Sequence, residues 1–332
     1  RDIWEYRLNL TREETERLVK HLWELREMNF DYYYFDENCS YLLMELLEVA
    51  RPGTELTDEF KITAIPVDTV RAIDHAGMIE DAAYRPSQST VMRHLLKQVP
   101  AEDHDLIKTL SEDISVSSQE SFTALPEQRQ RGIVDIAYQY LRYQQTGKPR
   151  DPDIAKRSHQ LLLLLNALPK NTSEKADISQ PVAHDKGHGS KRATFGLGQR
   201  LDNNYAELGF RMSFHDLEDN DDGFLRGAQI NIGSLQIRAE ENESIRLYRL
   251  DLVDIFSLTP RSAFFKPVAW RVYTGLERQL TKGVDQLTVH LTGGAGGSWH
   301  LLENSQVYTL VTGRLEINKQ LPHAVEPAIG FA

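Results

Sequence analysis

The sequence predicts an α+β protein, with a mainly helical N-terminal part followed by an all-antiparallel, β-barrel-like domain. Before about residue 170, apolar residues recur at the three- and four-residue spacing of helices that bury one face. After about residue 190, apolar and polar residues alternate, which is the period of strands with one apolar face. Glycine usage changes as well, because residues 1–180 contain four glycines and residues 181–332 contain sixteen.

Size and charge exclude several classes of protein. At 332 residues the chain has the length of roughly two domains. It carries 38 Lys and Arg against 49 Asp and Glu, a net charge of −11, and so lacks the basic surface that nucleic-acid binding requires. With one cysteine, it can form neither an internal disulfide framework nor a Cys-rich zinc module. It begins with Arg1 rather than Met, and we expect it to be part of a longer protein.

Capping, turn and proline signals divide the N-terminal part into helices. The pair Thr11 and Glu14 has the spacing of a capping box, which locates the start of the first helix. Prolines favour the first turn of a helix, and glycines favour its end. Together these signals predict one short strand over residues 5–10, and helices from Thr11 to about residue 28, over residues 39–49, from Pro66, over residues 126–145 and over residues 152–167.

About eight segments with strand periodicity follow, separated by turn sequences rich in Asp, Asn and Gly. The alternation is clear over residues 206–214, 287–291 and 307–317. Its phase changes near Gly233, as expected for a bulge or a bend in a strand. One face of these strands is apolar, and the other carries Arg, Glu, His, Gln and Thr.

This alternation fits two kinds of β domain equally well. In a membrane barrel, lipid-facing and interior-facing residues alternate along each strand. A soluble barrel or sandwich shows the same pattern when one face is solvated. Four aromatic residues would suit the interfacial positions of a membrane barrel, and they are Trp270, Tyr273, Trp299 and Tyr308. The pattern alone leaves both interpretations open.

The single cysteine, Cys39, falls where the second helix is expected to begin. The free N–H groups and the positive dipole end of a helix N-terminus stabilise a thiolate and lower the pKa of a thiol. Because a thiolate is the attacking species in cysteine catalysis, this position suits a nucleophile. The alternative is an inert, buried cysteine that packs like a small apolar side chain.

Three motifs of the N-terminal part resemble a known family. They are Phe30-Asp-Tyr-Tyr-Tyr-Phe-Asp-Glu-Asn-Cys-Ser-Tyr41, Pro66-Val-Asp-Thr-Val-Arg71 and Arg85-Pro-Ser87. They resemble the Lnb N-terminal periplasmic domain family, over about residues 1–95 and over the C-terminal half of that domain. Residues 187–332 are similar to the C-terminal β-barrel region of the proteobacterial members.

The resemblance implies a fold and a chemistry. The family domain resembles a circularly permuted papain-like (NlpC-type) fold, in which a catalytic histidine precedes the catalytic cysteine. Cys39 matches the family cysteine, so it would be the nucleophile of an acyltransferase or of an amidase- or peptidase-like hydrolase. The family is named after a lipoprotein N-acyltransferase, which implies a lipoprotein or another envelope acyl or peptide substrate. His21, the one histidine before Cys39, lies in a predicted amphipathic helix, so we expect the catalytic histidine upstream of residue 1.

Four neighbours of Cys39 are candidate supporting residues: Asn38, Glu37, Asp36 and Tyr34. Asn38 has two interpretations, a helix cap or a residue that orients a catalytic histidine. Asp36 and Glu37 would be able to hydrogen-bond within the site, although acidic residues are also common in the first turn of a helix. Tyr34 and the two preceding tyrosines suit an acyl or glycan groove, and packing in an aromatic core is the alternative that we favour.

The sequence gives no reason to expect a cofactor or a metal ion. His184 and His188 lie in a polar linker, where two histidines are weak grounds for a metal site. The acidic stretch 215–223 lacks the glutamate that an EF-hand needs at its twelfth position, and we interpret it as a hairpin loop. The glycines at 293–297 are not followed by the lysine of a phosphate-binding loop, and they indicate tight strand curvature instead.

These inferences give four segments and two hypotheses of function. The segments are a partial Lnb-like cysteine domain (1–95), a helical extension (96–170), a linker (171–186) and a β-barrel domain of outer-membrane type (187–332). In the first hypothesis, Cys39 acts on its substrate in the periplasm of a Gram-negative bacterium, and the barrel holds the protein in outer-membrane lipid. In the second, the protein is not an enzyme: the barrel is an anchor or a pore, and the helical part binds a periplasmic partner.

Overall fold

The computed structural model describes residues 2–169, 178–200, 203–241, 244–302, 305–320 and 326–331. Residues 171–177 of the predicted linker lie outside this described part. The chain divides into two compact units. One unit comprises Arg1–Arg7 with Asp81–Gln180, and the other comprises Leu8–Glu80 with Pro181–Ala332.

Helices dominate the described residues up to 169, as predicted, and only a two-stranded sheet accompanies them there. The elements are β1 (Ile3–Leu8), α1 (Arg12–Leu25), α2 (Cys39–Ala50), α3 (Pro66–His75), β2 (Ile79–Arg85), α4 (Gln88–Gln98), α5 (His104–Glu112), α6 (Glu120–Thr123), α7 (Glu127–Gln145) and α8 (Pro152–Ala167). β1 pairs with β2. The strand predicted over residues 5–10 is therefore present but lies closer to the N-terminus.

Local hydrogen bonds explain where the first helices begin. At α1, the backbone N–H of Glu14 donates to Oγ1 of Thr11 (3.2 Å), and the N–H of Thr11 donates to Oε2 of Glu14 (2.8 Å). This is the predicted capping box. α3 and α8 begin at Pro66 and Pro152, as predicted. α7 begins one position later than predicted, because Pro126 occupies its capping position.

Each unit has a core of its own to which helices contribute. The unit that contains α4 to α8 buries apolar side chains of these helices, among them Met92, Ile107, Leu110, Ile133, Ile136, Leu141 and Leu161. In the other unit, α2 and α3 pack with the segments beside them around Met44, Leu47, Leu56, Phe60, Ala64, Ile73 and Met78. α1 differs from α2 and α3, because none of its residues is buried.

The C-terminal half of the second unit is one antiparallel sheet of eight strands in sequence order. Its strands are β3 (Arg192–Arg200), β4 (Asn203–Arg211), β5 (Ala228–Glu240), β6 (Arg246–Ser257), β7 (Ala269–Thr281), β8 (Val284–Leu302), β9 (Ser305–Ile317) and β10 (Glu326–Phe331). The number of strands and their antiparallel order agree with the prediction. Gly233, where the phase of β5 changes, has a positive φ of 71°, which suits a bend that glycine accommodates best.

The sequence predicted that this sheet closes into a barrel, and the structure differs from the prediction in this respect. Within the described residues, β3 pairs with β4 alone and β10 pairs with β9 alone, so β3 and β10 are edge strands. A closed barrel needs a hydrogen-bonded ladder between its first and last strands. Alternation in a sequence reveals the two faces of each strand, and it does not reveal strand tilt or the pairing of edges. The fold is therefore mixed helix and sheet, with an open antiparallel sheet.

The sheet is nevertheless strongly curled. Arg200 on β3 approaches Asp285 on β8, with 3.9 Å between Nη1 and Oδ2. Five strand-to-strand steps separate β3 from β8, which would be about 24 Å in a flat sheet at about 4.8 Å per step. The same carboxylate oxygen of Asp285 lies 3.6 Å from Nη1 of Arg246 on β6. Curling therefore brings charged side chains from distant strands together on the concave face.

The sheet buries its polar face and exposes its apolar face, which is the reverse of the usual arrangement. The concave face carries polar side chains that are almost inaccessible, such as Asp254 (2 % exposed), Thr288 (0 %) and His290 (1 %). The convex face carries exposed apolar side chains, and among them are Phe195, Leu197, Leu208, Phe210, Leu235, Val272, Val289, Leu291, Val311, Leu315 and Ile317. A soluble protein normally buries its apolar face and exposes its polar face.

The four aromatic residues predicted at membrane interfaces divide between these faces. Trp270 and Trp299 are about two-fifths exposed (39 % and 41 %) on the apolar face. Tyr273 is only 6 % exposed, and its hydroxyl donates to Oδ1 of Asp251 on the polar face (3.0 Å). Tyr308 stands opposite the buried Ser298 in the ladder between β8 and β9. The interfacial prediction is therefore wrong for the two tyrosines, because the strand register turns them to the polar face.

Candidate functional site

Cys39 is the first residue of α2, where the sequence predicted it. Its side chain is exposed and its thiol is free. The interpretation as an inert buried cysteine is therefore wrong for this structure. In the described part of the chain, no side-chain hydrogen bond reaches the sulfur, so the thiol is open to a reactant from solvent.

Asn38 fixes the start of α2. Its Oδ1 accepts hydrogen bonds from the backbone N–H of Ser40 (3.0 Å) and of Tyr41 (3.3 Å), as an N-cap does. Its Nδ2 donates to the backbone carbonyl of Ala64 (2.7 Å). Asn38 is only 4 % exposed, and both polar atoms of its side chain have hydrogen-bond partners within the protein. Asn38 acts on Cys39 by holding the helix end, which is the first of its two interpretations.

The acidic candidates have local partners. Oδ1 of Asp36 accepts from the backbone N–H of Glu37 (2.9 Å), and the carbonyl of Asp36 accepts from the N–H of Asn38 (2.9 Å). Glu37 is exposed, and its carbonyl accepts from the N–H of Tyr33 (3.4 Å). These bonds shape the turn that precedes Cys39. A direct part in chemistry remains a prediction for both carboxylates.

Tyr34 and its aromatic neighbours do not form a core. Tyr34 is 66 % exposed, Tyr33 is 54 % exposed and Phe35 is 53 % exposed. The expectation that this aromatic run packs in the interior is therefore wrong. Aromatic content predicts burial only if another part of the molecule covers the rings, and the described residues do not cover these. The rings of Tyr34 and Phe35 instead contact each other edge to face, 5.2 Å between centroids.

Seven exposed apolar side chains therefore lie near Cys39 along the chain or in the loop that Asn38 fixes. They belong to the aromatic run that precedes α2, to α2 and to this loop, and we call Phe30, Tyr32, Tyr33, Tyr34, Phe35, Leu43 and Ile62 the aromatic surface. The backbone N–H of Ala64 donates to the carbonyl of Phe35 (2.7 Å), which holds the loop against the run. Large exposed apolar patches mark binding sites for proteins, lipids or apolar ligands.

His21 contacts a glutamate of its own helix. Its Nδ1 lies 3.2 Å from Oε2 of Glu24, one turn along α1. This agrees with the prediction that His21 is a surface or packing residue of an amphipathic helix. In the part of the chain that the structure describes, no contact joins a histidine ring to Cys39.

A second cluster of polar residues joins α3 to the segment before β3. The guanidinium of Arg71 donates to the backbone carbonyls of Asp185 (2.9 Å) and His188 (2.7 Å). Asp68 pairs with Arg71 (2.7 Å) and also accepts from the hydroxyl of Ser190. The N-cap residue of α3 is Ile65, which makes no side-chain cap.

Two imidazole rings and one carboxylate lie together beside this segment. The sequence did not predict this cluster. Nε2 of His188 lies 2.9 Å from Nδ1 of His215 and 3.7 Å from Oδ2 of Asp219. The three ligand-type atoms lie within 4.8 Å of one another. His188 precedes β3, whereas His215 and Asp219 lie in the loop between β4 and β5. Separation along the chain hid this cluster, since each part looked like a polar linker or an acidic turn.

The environment sets the charge of these groups. Burial, followed by the nearby His188, lowers the pKa of His215, so its imidazole is neutral at pH 7. Burial alone would raise the pKa of Asp219. Hydrogen bonds from Arg211 and from the N–H of Asp216 outweigh burial and hold that pKa below its usual value. The cluster thus contains a neutral buried imidazole beside an ionised carboxylate.

Membrane-spanning helices are not a feature of the described residues. No helix there combines the length and the hydrophobicity that crossing a bilayer requires.

Three family models match three successive ranges of the chain. Residues 1–76 match the Lnb N-terminal periplasmic domain, which confirms the predicted resemblance over that range. Residues 82–174 match a domain of unknown function (DUF7842), and residues 181–332 match another domain of unknown function (DUF7840). Searches of curated proteins and of solved structures return no match. The first of these matches indicates a periplasmic protein of the cell envelope.

Proposed function

We propose that this protein is an outer-membrane-anchored envelope enzyme that uses Cys39 as the nucleophile of an acyl transfer in the periplasm. Its substrate would be a lipoprotein, or another acyl or peptide substrate at the membrane surface. The observation that carries the proposal is the free, exposed thiol of Cys39 at the first residue of α2, beside the aromatic surface. The match of residues 1–76 to a periplasmic domain supports the compartment.

The position of Cys39 suits a nucleophile. The N–H groups of Ser40 and Tyr41 bond to Oδ1 of Asn38, and the N–H of Leu42 bonds to the carbonyl of Asn38, so Cys39 is fixed at the exposed end of the helix. The aromatic surface supplies apolar contacts for an acyl chain, which a water-soluble substrate would not need. The exposed thiol and the apolar side chains near it therefore both suit an acyl substrate.

The proposed reaction has two steps, acylation of Cys39 and transfer of the acyl group to an amine. The thiolate of Cys39 attacks an ester carbonyl, so that an S–C bond forms, the C–O bond breaks and the alcohol leaves with a proton. An amine then attacks the thioester, so that an N–C bond forms, the S–C bond breaks and the thiolate is restored as the amine loses a proton. A histidine is the expected base and acid for these proton transfers, as the resemblance implies. Attack by water in the second step would give hydrolysis instead.

The reversed burial of the sheet supports the membrane anchor. Exposed Leu, Val, Ile and Phe side chains cover its convex face, while ion pairs such as Arg271 with Asp254 (2.8 Å) lie on the concave face. Outer-membrane strands show this pattern, because lipid surrounds the outside of the sheet and polar groups fill the inside. A soluble sheet would leave those apolar side chains in water, which is unfavourable.

The concave face favours an anchor over an open pore. The sheet is curled enough to bring side chains from distant strands together on this face. Arg249 pairs with Asp251 (2.7 Å), which also accepts from the hydroxyl of Tyr273 (3.0 Å), so large side chains already occupy the concave face. We therefore propose that the sheet holds the enzyme at the membrane.

Trapping the intermediate tests the proposal. Full-length protein in vesicles of outer-membrane lipid is incubated with a diacylated lipopeptide, and the peptide that contains Cys39 is analysed by mass spectrometry. We expect an added acyl mass that hydroxylamine removes. Ser40→Ala is the matched control and should retain the adduct, whereas Cys39→Ala should lose it. Failure to find a hydroxylamine-sensitive adduct in the wild type, or product formation by Cys39→Ala, would overturn the nucleophile role.

A second candidate function is non-catalytic, and the lack of a described histidine contact to Cys39 favours it. In this case the aromatic surface would bind a periplasmic partner, and the sheet would act only as an anchor or a pore. Envelope phenotypes and vesicle conductance that are unchanged in Cys39→Ser, together with no acyl adduct, would support this candidate over the enzyme.

A further inference from the structure

We propose that His188, His215 and Asp219 bind one divalent transition-metal ion of the zinc type, with ligand atoms Nε2, Nδ1 and an oxygen of the carboxylate. The three atoms lie within 4.8 Å of one another, and the closest pair is 2.9 Å apart. Zinc lies about 2.0–2.2 Å from nitrogen and oxygen ligands, so ligand atoms on one ion are separated by about 3–4 Å. The separations from Nε2 of His188, 2.9 Å and 3.7 Å, lie close to this range, and the pair formed by His215 and Asp219 lies within 4.8 Å.

The hydrogen bonds of His188 leave a lone pair directed at the site. Its Nδ1 donates to the backbone carbonyl of Gly189 (2.7 Å), which leaves Nε2 without a proton in the neutral ring. A backbone carbonyl on the second ring nitrogen is the usual arrangement for a metal-binding histidine, because it fixes the tautomer.

His215 supplies an independent observation. Its side chain is 3 % exposed, and its Nε2 is buried without a hydrogen-bond partner. If Nδ1 of His215 donates to Nε2 of His188, then Nε2 of His215 is a buried acceptor with nothing to accept. With a metal ion at Nδ1, Nε2 instead carries the proton and faces the carboxylate of Asp221, whose Oδ1 lies 3.9 Å away, a charge contact rather than a hydrogen bond.

The surroundings hold the ligands in place. The ring of Phe224 stacks on His188 at 4.2 Å and on His215 at 4.4 Å between centroids. Asp219 is oriented by Arg192 (2.8 Å to Oδ1) and by Arg211 (2.5 Å to Oδ2). Ligands that packing and hydrogen bonds have already ordered lose little entropy when they bind an ion.

The donor set selects the class of metal. Two imidazole nitrogens and one carboxylate suit zinc and its neighbours, whereas calcium and magnesium prefer oxygen ligands alone. The two arginines offset part of the negative charge of the acidic loop, which further disfavours an ion held by charge alone. Three protein ligands leave at least one coordination position open to water or another ligand.

The ion would tie the segment before β3 to the loop between β4 and β5. Through Arg71, the same segment is bonded to α3, in the domain that carries Cys39. Metal binding would therefore stabilise the connection between the cysteine domain and the sheet within this unit. This role is independent of any reaction at Cys39.

Metal titration of the full-length protein tests the site. After treatment with a chelator, Zn²⁺ is added and followed by calorimetry and by elemental analysis, and we expect one ion per chain. His188→Ala and His215→Ala should each weaken binding by about 100-fold or more, since removing a residue that only hydrogen-bonds to a metal ligand already costs about 10- to 100-fold. The exposed His159→Ala is the matched control and should bind as the wild type does.

Two further measurements keep the test decisive. Because His215 is buried and its loss could disturb folding, His188→Asn is paired with circular dichroism, and the absorption bands of bound Co²⁺ should disappear while the fold remains. Binding that is equal in wild type and His188→Asn, or no binding tighter than that of a free histidine peptide, would overturn the proposal. Displacement of Zn²⁺ by millimolar Ca²⁺ would also overturn it, since that result indicates an acidic-loop site.

Discussion

The side-chain amide of Asn38 donates a hydrogen bond to the backbone carbonyl of Ala64, 26 residues further along the chain (2.7 Å). Its other end caps α2 directly beside Cys39. One buried side chain thus holds together the helix that presents the thiol and the loop that carries part of the aromatic surface. The geometry around Cys39 depends on this residue more than on any acidic neighbour.

Asn38→Ala should therefore destabilise the protein by about 2–4 kcal/mol. The cap accounts for about 1–2 kcal/mol, and the carbonyl of Ala64 left without its donor accounts for the remainder. Urea unfolding followed by circular dichroism measures the change. Asn38→Ser is the control, because serine keeps a capping oxygen and lacks the amide donor, and its loss should be about half as large. Equal stability of Asn38→Ala and wild type would show that other bonds hold this loop.

Of the two interactions that the Asn38 side chain makes, the sequence predicts one and not the other. The cap was predictable, because it joins residues two and three positions apart. The bond to Ala64 was not, since nothing in a sequence indicates which distant carbonyl a loop brings close. The capping box at Thr11 and the helix start at Pro66 are local in the same way, and both were predicted correctly.

Non-local features account for the predictions that failed or were missed. The exposure of Tyr34 depends on what covers it, and aromatic composition carries no information about a cover. The approach of His188 to His215 depends on how a linker and a hairpin loop meet. Likewise, the alternation in the strands gave the two faces of the sheet, while the open edges at β3 and β10 follow from pairing that no single strand encodes.

The glycines of β8 should differ sharply in their tolerance of a side chain. A Cβ on Gly296 would lie 1.9 Å from the carbonyl oxygen of Thr309 on β9, so the strands would have to move apart. A Cβ on Gly293 meets no atom within 4 Å. Gly296→Ala should destabilise the sheet by about 1–3 kcal/mol, while Gly293→Ala, the matched control, should be close to neutral. Unfolding in detergent micelles measures both, and equal effects would contradict the close approach of β8 and β9.

Acid should weaken the contact between α1 and the end of α2 through Glu14. Hydrogen bonds from the side chain of Arg51 and from the N–H of Thr11 lower the pKa of Glu14 from 4.5 to about 2. A carboxylate whose pKa is lower in the folded state stabilises that state above its unfolded pKa, and the contribution disappears as the pH falls through the folded pKa. Part of the stability should therefore be lost between about pH 4.5 and pH 2.

Glu14→Gln should reduce the slope of the melting temperature against pH in this window. Glu13→Gln is the matched control, since Glu13 lies in the same first turn and is exposed, and it should leave the slope unchanged. Melting curves at half-unit steps from pH 5 to pH 2 measure the slope. An unchanged slope in Glu14→Gln would assign the acid sensitivity to other carboxylates.

Arginine on the convex face should test directly whether lipid covers it. Val311 lies at the middle of β9 and is 56 % exposed on that face. If the face contacts lipid, Val311→Arg should weaken insertion by about 2–4 kcal/mol, the cost of a guanidinium near the bilayer midplane. If the face contacts water, the same change should have little effect on folding and should improve solubility. Flotation with vesicles of outer-membrane lipid measures the inserted fraction.

Leu163→Arg is the matched control for this experiment. Leu163 is a similarly exposed apolar residue (58 %), but it lies on α8 in the helical unit, which we do not expect to enter the bilayer. It should float with the vesicles as the wild type does. A Val311→Arg variant that floats equally well would remove the membrane anchor from the proposed function and would leave the reactivity of Cys39 as a separate question.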